Sequence, residues 1–242
     1  MHRIYWPKSL PEPGQQAIVA EDEAAHALRV KRLRIGDPVQ LLDGLGSIAD
    51  GTIAALGTAN RRASLSVYVT AVRHVPELLP RIDIWAATPK GARVDEMVEG
   101  LSEVGAASWT PLRSARSIVE PRPTKLDRLS RLAIESSKQC GRAWLLRILP
   151  ERMFMDAILP SPDTLILLAD SSGTSLASPT STPPPSVRVL VGPEGGWTPD
   201  ELAQARAAAV PIIRFGPHAM RIETAAVAIA AITLDRLSPP AS

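Results

Sequence analysis

The sequence predicts an α/β protein with a parallel sheet, preceded by a smaller β domain of barrel type. Three observations carry this. Near Arg81 the pattern changes from short, closely spaced strands to alternating strands and helices. Two apolar runs, Val187 to Val191 and Pro211 to Phe215, each end in a turn built of glycine and proline and lead into a helix. Turns of that kind at strand-to-helix junctions are where α/β sheets hold ligands.

Residues 1–72 read mainly as β, with strands expected at 39–44, 47–55 and 63–72 and one helix at 22–30. Residues 73–80, which hold Pro76 and Pro80, read as a linker, and 81–242 as the second domain. A strand at 82–87 leads into a helix whose apolar face is Val94, Met97, Val98, Leu101 and Val104, with Gly105 as its stop. A basic amphipathic helix is expected at 126–140, and a strand buried on both faces at 164–169. Residues 171–186 are rich in Ser, Thr and Pro and read as a mobile surface loop. Helices should follow the turns at Thr198 and Arg221. Thr198 as N-cap, Pro199 at the first helical position and Glu201 three residues after the cap spell a capping box.

Composition narrows the function classes. The 242 residues are 45% hydrophobic and 21% charged, as in an ordinary globular protein. The net charge of +2 argues nothing by itself, but its distribution is uneven. Ten basic residues lie between Arg113 and Arg152 against four acids, and Arg29, Lys31, Arg32 and Arg34 form a smaller basic cluster. Cys140 is the single cysteine, so no internal disulfide forms, and the four scattered histidines lack metal-site spacing. The first 14 residues lack the apolar stretch of a signal peptide, and no run is long enough to span a membrane. A cytoplasmic protein without metal is the expectation.

The turn Gly192-Pro193-Glu194-Gly195-Gly196 lies just ahead of a helix N-terminus. It has neither the Gly-Lys-Ser/Thr of a phosphate loop nor the dinucleotide fingerprint, and Glu194 would repel a phosphate. A ligand without phosphates, rich in donors or positive charge, suits it. In the second turn Arg221 stands at a helix start, where a cation is electrostatically misplaced. That misfit marks Arg221 for binding or catalysis, whereas Glu223 and Thr224 suit the helix start by themselves.

The ordered motifs resemble the RsmE-type methyltransferases. The resemblance rests on Gly192 to Gly196, on Gly216-Pro217 with Arg221-x-Glu223-Thr224-Ala225, on Gln139-Cys140-Gly141-Arg142, on Lys90-Gly91 with Glu103-x-Gly105, and on the segment from His26 to Asp37. One departure is His218, where that family usually carries arginine. The family implies a SPOUT-type parallel sheet with a C-terminal trefoil knot behind a PUA-like RNA-binding β-barrel. It implies methylation of N3 of a uridine in 16S ribosomal RNA, S-adenosylmethionine as methyl donor, and a homodimer acting on the small ribosomal subunit. The same motifs leave open a SPOUT enzyme acting elsewhere on RNA, and a non-catalytic RNA-binding assembly factor.

Carried onto this chain, the resemblance places the cofactor against Leu168, Ala169 and Asp170, against Gly192, Pro193, Glu194, Gly195 and Gly196, and against Phe215, Gly216, Ala219, Met220, Ile222 and Thr224. Uracil N3 must lose a proton, and a protein can assist with a cation near the ring oxygens and with a carboxylate that accepts the proton. Arg221 is the expected cation, and Glu223, with Glu194 as the alternative, the expected acceptor. Arg29, Arg32, Arg34, Lys90, Arg113 and Arg142 are expected to contact RNA.

Overall fold

The computed structural model describes the chain except residues 30, 60–61, 177–182 and 239–242, and the side chains at 20–22, 29, 59 and 62. It divides into two compact units, Met1–Glu77 with Ser137–Leu145, and Leu78–Ser136 with Leu146–Ser242.

The first unit contains β1 (His2–Tyr5), β2 (Gln16–Ala20), α1 (Glu21–Arg29), β3 (Pro38–Leu42), β4 (Ser47–Ala59) and β5 (Arg62–His74). The strands pair in the order β1-β3-β4-β5-β2, with β1–β3 parallel and the other pairs antiparallel. Alternation along β5 sends Leu65, Val67 and Val69 inward, where they meet Val39, Leu41 and Ile53 and the small face Ala24 and Ala27 of α1. β5 extends to His74, so it takes the start of the segment expected as a linker. The 137–145 segment joins this unit through Trp144, whose Nε1 donates to Val75 O at 2.8 Å.

The second unit contains β6 (Arg81–Ala86), α2 (Arg93–Glu103), β7 (Ser108–Arg113), α3 (Pro123–Cys140) up to Ser136, β8 (Arg147–Ile148), β9 (Arg152–Met153), α4 (Phe154–Ala157), β10 (Thr164–Ser175), β11 (Ser186–Val191), α5 (Pro199–Ala207), β12 (Ile212–Arg214) and α6 (Ile222–Leu237). Its strands are parallel in the order β12-β10-β11-β6-β7-β8, with β9 beside β7. A parallel sheet must be covered on both faces. On one face Val94, Met97 and Leu101 of α2, Leu129 and Ala133 of α3, and Ala226, Ile229 and Ala230 of α6 cover Ile84, Val187 and Val189. Gly100 lets α2 approach α6, since a Cβ there would lie 2.8 Å from the Val227 side chain. On the other face Phe154 and Ala157 of α4 and Ala205 of α5 cover Leu112, Ile166, Leu168 and Leu190.

The Ser/Pro-rich segment departs from expectation. β10 does not end at Ala169; it bulges through residues 170–173 and pairs with β12 again at Thr174 and Ser175. Gly173 permits this, because a Cβ there would lie 2.5 Å from Ile212 O. Asp170 closes the bulge, with Oδ1 accepting from Ser172 N at 2.9 Å and from Ser172 Oγ at 2.6 Å. Residues 177–182 of the expected loop lie outside the described residues.

Candidate active site

Parallel strands put all their carboxyl ends on one edge of the sheet, and the turns that follow them meet there. The turn after β11 begins at Gly192 and ends at the Thr198 cap of α5. Thr198 Oγ1 accepts from Glu201 N at 3.1 Å, and Glu201 Oε2 accepts from Thr198 N at 2.8 Å. The capping box read from the sequence is therefore formed. Gly196 takes the left-handed conformation, with φ +67°. Gly192 lies on the Trp197 indole, from which a Cβ would stand only 3.0 Å away. The turn after β12 has Gly216 at φ +71° and ends at Arg221, the N-cap of α6, whose side chain makes no capping hydrogen bond.

These turns and the β10 bulge line a half-open cavity of about 360 Å³. From β10 and its bulge come Ala169, Asp170 and Ser171; from the β11 side, Val191, Gly192, Pro193, Glu194, Gly196 and Trp197. From the β12 side come Ile213 to Met220, and from α6 Ile222 and Ala225. Eleven of the residues expected to hold a cofactor lie on this wall: Ala169, Asp170, Gly192, Pro193, Glu194, Gly196, Phe215, Gly216, Ala219, Met220 and Ile222.

Leu168, Gly195 and Thr224 do not. Leu168 is fully buried in the core under α4 and α5, because alternation turns it away from the strand end. Gly195 is exposed and its carbonyl is held by Arg116, while Thr224 is exposed on α6. Sequence reasoning takes in Asp170 but leaves Trp197 and Arg214 out of the site. The Gly-Gly-Trp run was the available signal for Trp197; the bulge that turns Asp170 into the cavity has none in sequence.

The expected catalytic pair separates. Arg221 is exposed beside the cavity, between its wall residues Met220 and Ile222, and forms no ion pair with a described residue. Glu223 is 8% exposed, is absent from the cavity wall, and has Oε1 3.9 Å from Arg93 Nε at the start of α2. Its helical position, two residues after Arg221, turns it into the protein. Glu194 is on the wall, exposed, and without a partner among the described residues.

The basic residues also divide. Arg32, Arg34 and Lys90 are exposed, and the side chain of Arg29 lies outside those described. Arg113 is not a free cation: it donates to Glu120 at 3.1 and 2.8 Å and lies 3.7 Å from Glu151. Burial holds the Glu151 carboxyl above its ordinary value, against the opposing pull of Arg113. Arg142 is half-buried; desolvation holds its guanidinium below the usual arginine value, with Cys140 and Glu77 acting the other way. Arg128 is bound to Asp95 through two hydrogen bonds. Among the described residues no cluster of three His, Cys, Asp or Glu could hold a metal, and no helix is long and apolar enough to cross a membrane.

The sequence matches a family model described as an RNA methyltransferase domain over residues 77–234, and an RNA methyltransferase PUA domain over 19–59. It is 31% identical to the ribosomal RNA small subunit methyltransferase E of Synechocystis sp. over 84% of this chain and 68% of that one. The protein of the same name in Mycobacterium tuberculosis is 29% identical over 95% and 90%. Among solved structures, a ribosomal RNA small subunit methyltransferase E from Neisseria gonorrhoeae bound to S-adenosyl methionine superposes with a TM-score of 0.85, at 26% identity over 97% of both chains. A probable rRNA-methyltransferase from Porphyromonas gingivalis gives 0.80 at 28% identity over 98% of both.

Proposed function

The chain belongs to the RNA methyltransferase family, and from that membership we propose that it moves a methyl group from S-adenosylmethionine to N3 of a uridine in 16S ribosomal RNA. The observation that carries this reading is the cavity between the two glycine turns at the carboxyl ends of β10, β11 and β12. Its volume lies in the range of small-molecule sites. The wall suits the donor: Phe215, Met220 and Ile222 offer apolar surface, the glycine turns expose backbone, and Asp170 and Glu194 complement positive charge. The placement of β10 between β11 and β12 supports the knotted SPOUT topology.

When bound, the cofactor supplies an electrophilic methyl group on a sulfonium. The chain's own residues supply alignment, exclusion of water and management of the N3 proton. We assign Arg221 to the uracil oxygens, where its cation offsets the charge that develops as N3 loses its proton. Glu194 replaces Glu223 as the proposed proton acceptor, because it stands on the cavity wall while Glu223 is turned inward against Arg93. Glu223 then orients the first turn of α6. Exposed Arg32, Arg34 and Lys90 are proposed to contact RNA backbone, in a cytoplasmic homodimer whose second copy completes the site.

Calorimetry with S-adenosylmethionine, joined to mapping of modified uridines in ribosomal RNA from cells with and without the gene, tests the reading. A missing N3-methyluridine in the deletion strain, restored by the wild-type chain, is the expected result. Cofactor binding with an unchanged methylation map would transfer the activity to another RNA, and absence of cofactor binding would leave an RNA-binding protein.

A further inference from the structure

The basic stretch after β7 contains an arginine that is bound to the protein's own backbone. We infer that Arg116 is a positioning residue of the methyl-donor site, fixing the turn that forms one wall and thereby setting cofactor affinity. This rests on the cofactor reading above.

Arg116 Nη1 donates to Gly195 O at 2.6 Å and to Trp197 O at 3.3 Å. One nitrogen thus bridges the residues on either side of Gly196, where the chain reverses. The stem of the side chain lies against Gly195, where a Cβ would stand 3.2 Å from Arg116 Cδ. Inside the turn, Gly196 N donates to Pro193 O at 2.8 Å. A segment with three glycines loses much backbone freedom when fixed, so an external, charged donor matters there more than in a strand or helix.

The neighbouring residue ties the same junction from the other direction. Ala115 N donates to Glu201 Oε1 at 2.8 Å, while Glu201 Oε2 caps α5. The loop 114–117 is therefore joined both to the turn, by the Arg116 side chain reaching out, and to the first turn of α5 that follows it, by the Glu201 carboxylate reaching back. Across the turn, Trp197 Nε1 donates to Ala169 O at 2.9 Å. The wall is held between Arg116 outside and β10 inside. The competing role for an exposed arginine in a basic stretch is a phosphate contact, and it predicts a different result.

Wild type, Arg116→Ala and Arg116→Lys, each as the full chain, are compared by amide hydrogen exchange without ligand, by calorimetry with S-adenosylmethionine without RNA, and by titration with a 16S ribosomal RNA fragment without cofactor. Arg116→Ala is expected to speed exchange in residues 195–197 and to weaken cofactor binding about tenfold, the scale of one charge-assisted hydrogen bond. Because a single nitrogen makes both bonds, Arg116→Lys is expected to restore most of both. Wild-type exchange and affinity in Arg116→Ala would overturn the proposal, and a loss confined to RNA affinity would make Arg116 a phosphate contact instead. Failure of the wild type to bind the cofactor would remove the cofactor reading and the affinity role together.

Discussion

Trp197 Nε1 donates to the carbonyl oxygen of Ala169 at 2.9 Å, joining the end of β10 to the turn after β11. Its ring lies under Gly192 and packs against Phe154 at 5.3 Å between centroids. One side chain therefore fixes the spacing of two cavity walls and seals the core beneath them.

Trp197→Phe keeps an aromatic ring against Phe154 but removes the donor. The Ala169 carbonyl is left without that partner, at a cost of about 1–2 kcal/mol. Urea unfolding should show this loss, and calorimetry a weaker affinity for S-adenosylmethionine. Unchanged values in both would mean that the walls are spaced by other contacts.

Arg221→Ala tests the proposed chemistry. The side chain makes no capping bond, so its removal should leave the fold and cofactor affinity close to wild type. Single-turnover methylation should slow by about 10²–10³, the scale of a lost oxyanion donor. Full turnover in this variant would end the assignment.

RNA affinity should fall steeply with salt, as phosphate contacts release counterions. Arg34→Ala is expected to lower the slope of log affinity against log salt by about one. Arg113→Ala should change it less, because Glu120 and Glu151 already occupy that guanidinium. Equal effects at the two sites would show that RNA displaces the carboxylates.

How much could be read in advance depends on the distance over which each feature is encoded. The Thr198 capping box and the left-handed glycines are local, and they appear as their residue types require. Most cavity residues follow from the two turns for the same reason. The hydrogen bond from Arg116 to Gly195 spans 79 residues, and the bond from Trp197 to Ala169 spans 28. No local pattern marks such partners. The orientation of Glu223 is not legible locally, because a residue near a helix start can face the cavity or the interior, and here its carboxylate lies near Arg93 of another helix. The β10 bulge was missed because a run of Ser, Gly and Thr reads as loop, while its pairing with β12 depends on Gly173 meeting Ile212 closely.

Asp95 provides a pH handle on stability. Its two hydrogen bonds from Arg128, of 2.7 and 2.6 Å, hold the carboxyl below its ordinary value of 3.8, against the smaller effect of burial. A carboxylate depressed in the folded state stabilises fully above its unfolded value, and that contribution is lost as pH falls through the folded one. Arg128→Ala should therefore be less stable than wild type at neutral pH. The gap should close as the pH drops below about 4. Urea midpoints across the acid range measure it, and a gap that persists at the lowest pH would point to lost packing of the arginine stem. Added salt should also narrow the neutral-pH gap, because the Arg128 side chain is 52% exposed.

Gly216 separates backbone strain from cavity shape. Its φ of +71° is one that side chains rarely adopt, and a Cβ there would run into the Met220 methyl on the cavity wall. The backbone part of Gly216→Ala should cost about 1–2 kcal/mol wherever Met220 sits. The steric part falls on the flexible end of Met220, which moves cheaply but moves within the cavity. A double-mutant cycle with Met220→Ala divides the two. In that background Gly216→Ala should retain its stability cost yet cause a much smaller further loss of cofactor affinity than in wild type. Additive losses of affinity would instead mean that the left-handed turn itself, through the backbone groups it presents, shapes this wall of the cavity.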